Sequence, residues 1–370
     1  SLYTEDNEVT LYTDGNELFT SLFHAINCAQ HYIHIEYYII HDDELGKLFK
    51  DLLIKKANQG VDIFLLYDEV GSLKTPKKYF YDLKRAGIKT AHFYSTAIPF
   101  IKLHANYRNH RKICVVDGKV GFIGGFNVGA EYLGLNKKFG YWRDTHLRIE
   151  GSSVDLINLQ FLLDRRFATK ENLNLEQYIP LRLPKATNKV GIQIVSSGPD
   201  SKYPSIRNAY MTMINLAKKS IYIQTPYFIP DDGVLTALKL ACLSGLDVRI
   251  MIPNKPDHMF VYWATYAHVG ELIACGCKCY TYEHGFLHAK TIVVDEEICS
   301  VGTANFDIRS FNLNFEINAF IYNKPLAEQL MHIFNEDLTL CNELTPTLYA
   351  HRSYLIKFKE SISRLISPIL

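Results

Sequence analysis

One arrangement of chemically capable side chains occurs twice in the chain. His110-Arg-Lys112-Ile-Cys-Val-Val-Asp117 and His288-Ala-Lys290-Thr-Ile-Val-Val-Asp295 both read H-x-K-x4-D. Seven residues past each Asp stands a Gly (Gly124, Gly302), and three residues later an Asn (Asn127, Asn305). A neutral imidazole is a competent nucleophile and a protonated one a proton donor, while an ammonium beside it neutralises negative charge. A carboxamide adds hydrogen bonds to an oxygen that is gaining charge. A single His cannot attack and protonate in the same step, so neither copy is a complete site by itself.

The elements that must hold these groups follow from the same stretches. A β-branched run ending at Asp117-Gly118, then a second run from 119 to 124, predicts a hairpin, and Asp295-Glu296 marks the same turn in the second copy. Residues two apart on a strand share a face, so His110 and Lys112 point one way, as do His288 and Lys290. Closing each hairpin brings Gly125 roughly opposite His110 and Thr303 roughly opposite His288, which carries each Asn back beside its own His. Asp117 lies beyond Lys112 by about 16 Å of strand at ~3.3 Å per residue, with the opposite side-chain parity. Asp117 and Asp295 are therefore expected to be structural.

The duplication extends past the motif. Residues 30–43 align with 219–232, placing Tyr38 against Tyr227; residues 60–66 align with 245–251, and 86–89 with 275–278. Residues 144–150 align with 316–322, which makes Asp144 and Glu316 equivalent. Each half reads helix, strand, helix, strand, helix, strand, hairpin, strand, helix. That alternation predicts an α/β fold of two tandem-duplicated halves, each a mixed β-sheet flanked by helices. Packing the halves about a pseudo-twofold axis would face the two motifs toward each other. The expected boundaries are 1–181 for the first half and 182–343 for the second, with the polar, proline-dotted stretch 171–188 as the linker. Residues 344–370 form a C-terminal segment with apolar positions at 355, 358, 362, 365, 366 and 369 and with Lys357, Lys359 and Arg364 on the polar side. It is expected to be an amphipathic helix, either docked on the core or lying at a membrane surface.

Composition narrows the function. The chain has 370 residues, 48% of them hydrophobic, which is enough for a large core. Its 40 Lys and Arg nearly cancel 39 Asp and Glu, so net charge does not mark it as a nucleic-acid binder. No apolar run of ~18 residues crosses a membrane as a helix, and no secretory signal opens the chain. Eight cysteines are scattered, with one cluster at Cys275-Gly-Cys277-Lys-Cys279 and no second cluster to complete a zinc site. Gly276 is expected to end a helix, with Cys277 and Cys279 then buried on one face of a strand.

The double motif resembles the phospholipase D superfamily. Gly121-Phe-Ile-Gly-Gly-Phe-Asn127 through Glu131-Tyr-Leu-Gly134, Tyr141-Trp-Arg-Asp-Thr-His146, and Gly302-Thr-Ala-Asn305 through Phe315-Glu316 are similar to the bacterial cardiolipin synthases. The likeness covers nearly the whole chain. It implies a phosphatidyltransferase that makes cardiolipin and glycerol from two phosphatidylglycerol molecules through a covalent phosphohistidine, with no cofactor and no metal. It implies phosphatidylglycerol and an anionic membrane surface as partners, not nucleic acid. It also implies the bacterial cell membrane as location, with the catalytic part peripheral and the family's N-terminal membrane spans outside this chain.

Within that chemistry each residue has an expected role. Lys112 and Lys290 neutralise the phosphodiester, and Asn127 and Asn305 donate to its non-bridging oxygens. His110 is assigned as nucleophile and His288 as acid–base group, following the habit of the superfamily. By resemblance, Asp144 and Glu316 each orient the His of their own motif. No Asp/Glu cluster suited to Mg²⁺ accompanies the motifs. Gly125 departs from the Ser or Thr usual at that position, which Thr303 keeps. His104, His146 and His284 lie near the motifs without repeat partners, and of these His284 is the candidate to line the pocket. A phospholipase D hydrolase or another phosphatidyltransferase would share the first half-reaction. A nuclease would want a basic groove, and an inactive lipid-docking scaffold would not need both motifs complete.

Overall fold

The computed structural model describes residues 2–93, 107–171, 175–179, 189–255 and 257–366, so His104 and most of the stretch read as a linker lie outside the described residues. In chain order the first half comprises β1 (Tyr3–Tyr12), α1 (Gly15–Cys28), β2 (Tyr32–Tyr37), α2 (Glu44–Asn58), β3 (Asp62–Asp68), α3 (Lys77–Arg85), β4 (Lys89–Phe93), β5 (Arg108–Asn109), β6 (Ile113–Val116), β7 (Val120–Gly124), β8 (Tyr141–Arg143), β9 (His146–Glu150) and α4 (Ser153–Thr169). The second comprises β10 (Val190–Ser197), α5 (Ser205–Leu216), β11 (Ser220–Gln224), β12 (Phe228–Ile229), α6 (Asp232–Leu243), β13 (Asp247–Pro253), α7 (Met259–Ile273), β14 (Lys278–Tyr282), β15 (Gly285–Leu287), β16 (Thr291–Val294), β17 (Ile298–Gly302), β18 (Phe306–Asp307), α8 (Ile308–Asn312), β19 (Asn314–Tyr322) and α9 (Lys324–Leu338). β20 (Cys341–Glu343), α10 (Pro346–Ala350) and α11 (Tyr354–Ile366) follow.

The sheet order makes the duplication visible. Strands run β14-β13-β11-β16-β17-β19-β10-β1-β9-β7-β6-β2-β3-β4, with β20 added beyond β14. Reading outward from β1 and from β10 gives the same seven-strand sequence twice. β1 and β10 pair antiparallel at Tyr3↔Gln193 and Thr4↔Ile192, so the two half-sheets are one continuous sheet. The sequence reading started each half at a helix and missed these leading strands. β1 reads Tyr-Thr-Glu-Asp-Asn-Glu-Val-Thr-Leu-Tyr, too polar in its first half to show an apolar alternation.

Strand parity divides the interior into three cores. Ile113 and Val115 of β6 enter a core beneath α4 and α9, while Cys114 and Val116 enter another with α1, α2 and α3. The core beneath α4 and α9 belongs to both halves, joining Leu147 and Phe161 to Val301, Ile317 and Phe334. Each large side chain buried in this shared core contributes roughly 1.5–3 kcal/mol. A third core lies under α5, α6 and α7.

Local signals set the element ends. Asp14, Asp43 and Asp231 accept backbone N–H groups at the starts of α1, α2 and α6. Both motif hairpins turn with two consecutive positive φ angles, Asp117 (52°) with Gly118 (62°) and Asp295 (55°) with Glu296 (61°). Cys277 and Cys279 are buried beside β14, after Gly276 at φ +97°.

α11 lies along α7 with Glu360 and Ser363 inward, and the basic side chains Lys357, Lys359 and Arg364 are exposed. Glu360 and Ser363 are 4% and 1% exposed, whereas Leu355, Phe358 and Ile362 are 63%, 63% and 41% exposed. Arg352 decides the orientation: its guanidinium grips the Glu360 carboxylate at 2.7 and 2.8 Å, and Arg364 pairs with Glu271 of α7. Among the described residues no helix is long and apolar enough to cross a membrane.

Candidate active site

Each motif histidine is delivered by a short strand that crosses to the other half. β5 pairs in parallel with the start of β19 (Asn314↔Arg108, Phe315↔Asn109), and His110 N–H then donates to the Phe315 carbonyl at 3.0 Å. β15 pairs in parallel with β8, and His288 N–H donates to the Arg143 carbonyl at 2.7 Å. The next residue on the receiving strand is Glu316 in the first case and Asp144 in the second. His110 Nδ1 accordingly lies 3.0 Å from both Glu316 carboxylate oxygens, and His288 Nδ1 lies 2.6 Å from Asp144 Oδ2. The expectation that each carboxylate serves its own motif's His is thus corrected: the partners are exchanged, because each His is carried across the pseudo-twofold axis before its ring is placed.

A proton held on Nδ1 by the carboxylate leaves Nε2 with its lone pair for reaction. Burial pushes His110 down to about 4, opposed by the Glu316 charge and reinforced by Lys112. His288 is also pushed below its ordinary value, by burial and by Lys290, against the pull of Asp144. Burial alone would raise Asp144 and Glu316, yet the cations beside them hold both below the usual carboxylate range. Both imidazoles are therefore neutral and both carboxylates ionised at neutral pH.

Lys112 and Lys290 lie beneath the rings, 0% and 1% exposed. Lys112 Nζ donates to the His110 carbonyl at 2.6 Å, Lys290 Nζ donates to the His288 carbonyl, and Lys290 Nζ stands 3.0 Å from His288 Nδ1. Burial drives Lys112 to about 7 and Lys290 to about 8. Both histidines and both Asn127 and Asn305 line one cavity of about 800 Å³ between the halves. Asn127 donates to the Tyr132 hydroxyl at 3.1 Å and Asn305 to Asp307 at 3.2 Å, so each NH₂ keeps its other N–H. The rings are wedged by aromatics, Tyr38 against His110 and Trp142 against His288, each with 5.1 Å between centroids.

Asp117 and Asp295 are not in this cavity. Asp117 accepts from the N–H groups of Gln30, His31 and Tyr32, and Asp295 from those of Lys218, Lys219 and Ser220, at 2.7–2.9 Å. Each clamps its hairpin turn to the start of the neighbouring strand. Gly125 has a steric reason: a Cβ there would stand 1.9 Å from Asp144 Oδ1. In the other half Thr303 fits, and its hydroxyl accepts the Ile317 N–H at 2.9 Å. His284 is exposed beside Tyr141 and is not among the lining residues, and His146 is buried away from the cavity.

Two buried arginines escaped the sequence reading. Arg111 binds Asp164 at 2.5 and 2.6 Å and donates to the Glu316 carbonyl at 3.1 Å. Arg143 binds Asp337 at 2.9 Å and donates to the Asp144 carbonyl at 2.5 Å. Each fixes the backbone of one orienting carboxylate. The available signal was that Asp164 and Asp337 fall on the buried faces of α4 and α9, where a carboxylate needs a cation opposite it.

Comparison with known proteins agrees with this architecture. A family model described as cardiolipin synthase, PLD-like domain, matches residues 22–142 and 210–338. The major cardiolipin synthase ClsA of Bacillus subtilis (strain 168) is 53% identical over 372 residues, covering 100% of this chain and 77% of that protein. Cardiolipin synthase 2 of Staphylococcus epidermidis is 52% identical over 369 residues, covering 99% of this chain and 75% of its own. The crystal structure of phosphatidylserine synthase from Haemophilus influenzae Rd KW20 matches with a TM-score of 0.77 over 98% of this chain and 95% of that one, at 14% identity, which speaks for the fold. With the family model falling on both halves and close relatives aligned along its whole length, the chain belongs to the cardiolipin synthase family, enzymes built from paired phospholipase D-like halves.

Proposed function

We propose that the protein transfers a phosphatidyl group from one phosphatidylglycerol to the hydroxyl of a second, giving cardiolipin and glycerol. The observation that carries this reading is the pair of carboxylate-held imidazoles, His110 with Glu316 and His288 with Asp144, facing one cavity over two buried lysines. In the first step the neutral His110 Nε2 attacks phosphorus, the bond from phosphorus to the glycerol oxygen breaks, and His288 gives that oxygen its proton. In the second, the acceptor hydroxyl forms the new P–O bond, the P–N bond breaks, and the hydroxyl proton passes to His288. His110, neutral down to about pH 4, suits the attacking role. Asp144 and the bound diester anion both favour the imidazolium at His288. Lys112 and Lys290 supply the positive charge that the diester requires, and Asn127 and Asn305 stabilise its non-bridging oxygens, so the reaction proceeds without a metal. Phosphohistidine retains the free energy of the diester, and the transfer needs no nucleotide.

The reading is tested with phosphatidylglycerol vesicles and mass spectrometry of the products, before and after dialysis against a chelator. Cardiolipin with equimolar glycerol, unchanged by the chelator, is the expected result. Phosphatidic acid as sole lipid product would make the protein a hydrolase, and a rate restored only by added divalent ion would overturn the metal-free mechanism.

A further inference from the structure

The two motifs are equivalent in the repeat, but the walls around them are not. The residue two before each motif His is Arg108 in the first copy and Phe286 in the second, and the residue four past each Asn is Glu131 in the first and Arg309 in the second. Because each His crosses the pseudo-twofold axis, these differences add instead of alternating. Arg108 at the start of β5 and Arg309 in α8 both line the cavity, as does Lys74. They flank the His110 side, where β5 meets the strand that follows α8 and the Tyr38 ring rests on His110. The His288 side presents Trp142, Phe139 and Glu131. Burial and the neighbouring Arg108 guanidinium push the Arg309 pKa below its ordinary value. Arg108 also donates to the Tyr107 carbonyl at 2.7 Å, and the neighbouring carboxylates Asp68 and Asp307 accept from the N–H groups of Val70, Gly71 and Asn109 and from that of Ser310. Two guanidinium groups at close quarters on the wall of a cavity are a site for an anion with several oxygens, which they hold with paired hydrogen bonds.

We infer that Arg108 and Arg309 bind the non-reacting phosphate of the acceptor lipid. This rests on the transfer reading given above. The donor brings one diester anion, which Lys112 and Lys290 meet from beneath the histidines, but an acceptor phosphatidylglycerol brings a second. That second anion must enter the same partly dehydrated cavity, where an unpaired charge is strongly disfavoured. Water, the competing acceptor, carries no phosphate and gains nothing from the arginines. The pair therefore biases the phosphohistidine toward transfer and away from hydrolysis, and it distinguishes a phospholipid alcohol from a neutral one.

The test is the double variant Arg108→Gln/Arg309→Gln, with the two Lys variants alongside it. Exchange of labelled glycerol into phosphatidylglycerol uses the donor site and a neutral acceptor, so it reports folding and the first step together. We expect glycerol exchange within about threefold of the parent, while cardiolipin formation falls by about tenfold or more as charge-assisted contacts to the acceptor are lost and phosphatidic acid rises in its place. The Lys variants, which keep charge but not the paired geometry, should recover part of the cardiolipin signal. The inference is overturned if exchange and cardiolipin synthesis fall together, or if the ratio of cardiolipin to phosphatidic acid is unchanged. A parent protein that exchanges glycerol but makes no cardiolipin would instead refute the transfer reading on which the inference stands.

Discussion

Replacing Glu316 with Gln tests the exchanged carboxylates directly, since it alters a residue of the second motif's half and should damage the histidine of the first. Glu316 is fully buried, its two oxygens both stand 3.0 Å from His110 Nδ1, and Arg111 holds its backbone. A hydrogen bond to a charged group contributes about 1.5–3 kcal/mol, which at 1.36 kcal/mol per decade is roughly 10- to 150-fold in rate. A neutral amide can also present its NH₂ to Nδ1, which selects the wrong tautomer; the same change in the serine-protease triad costs about 10⁴. The expected loss of cardiolipin synthesis therefore lies between about 10-fold and about 10⁴-fold. The sign of the accompanying pKa change is fixed. Glu316 stabilises the imidazolium, so its removal lowers the His110 pKa further below about 4. Ring ¹⁵N resonances of the two histidines provide the assay independent of turnover. His110 should shift on the Glu316→Gln substitution while His288 stays within its parent linewidth. Movement of His288 with His110 unaffected, or activity within threefold of the parent, would refute the cross-half assignment.

Three other outcomes follow from the same coordinates. Gly125→Ser should reduce synthesis by at least about 100-fold, because a side chain 1.9 Å from Asp144 Oδ1 drives that carboxylate off His288 and forfeits a charge-assisted bond; a variant keeping a third of parental activity would show the clash to be relieved cheaply. If Lys112 and Lys290, at about 7 and about 8, bind the diester as cations, KM for phosphatidylglycerol should rise as the pH climbs through that range. A KM flat from acid to strongly alkaline pH would contradict it. Leu355→Ser with Phe358→Ser should weaken vesicle binding by about 100-fold or more, taking roughly 1.5–3 kcal/mol per inserted side chain. Thermal unfolding and turnover of a short-chain soluble substrate should not change, since both side chains face outward. Equal losses on soluble and vesicle substrates would give the outward stripe a purely structural role.

What could be read from the residues is what depends on spacing within one half. The turn at Asp117-Gly118 and the distance of Asp117 from the reactive groups are properties of a single hairpin, and two-residue periodicity describes them. The exchange of Asp144 and Glu316 is not such a property. It depends on β5 and β15, strands of two and three residues that carry no periodic signal and exist only because the other half offers them an edge. The same limit applies to α11. Its 3.6-residue stripe is plain, but which side faces the body is decided by Arg352, outside the helix, gripping Glu360. β1 was missed because polar residues occupy its first turns of pleat, and its pairing partner, β10, lies almost two hundred residues away.

The buried charges explain why the site is poised for a diester in particular. Two buried lysines and two buried carboxylates lie beside the histidines, and when the lysines are protonated the set is neutral. The lysine pKa values, driven down to about 7 and about 8, show that this neutrality is held weakly, because burial disfavours each ammonium. A phosphodiester adds one negative charge. It secures the protons on both lysines and leaves the set one charge short, which a proton on an imidazole restores. On the proposed mechanism, binding and proton uptake are thereby coupled, and the proton arrives on the group that gives it to the departing glycerol oxygen. Of the two rings, His288 has the shorter contact to its carboxylate, 2.6 Å from Nδ1 to Asp144 against 3.0 Å from His110 to Glu316. A neutral ester would bind without bringing that charge, would leave both imidazoles unprotonated, and would find a nucleophile in the cavity but no acid.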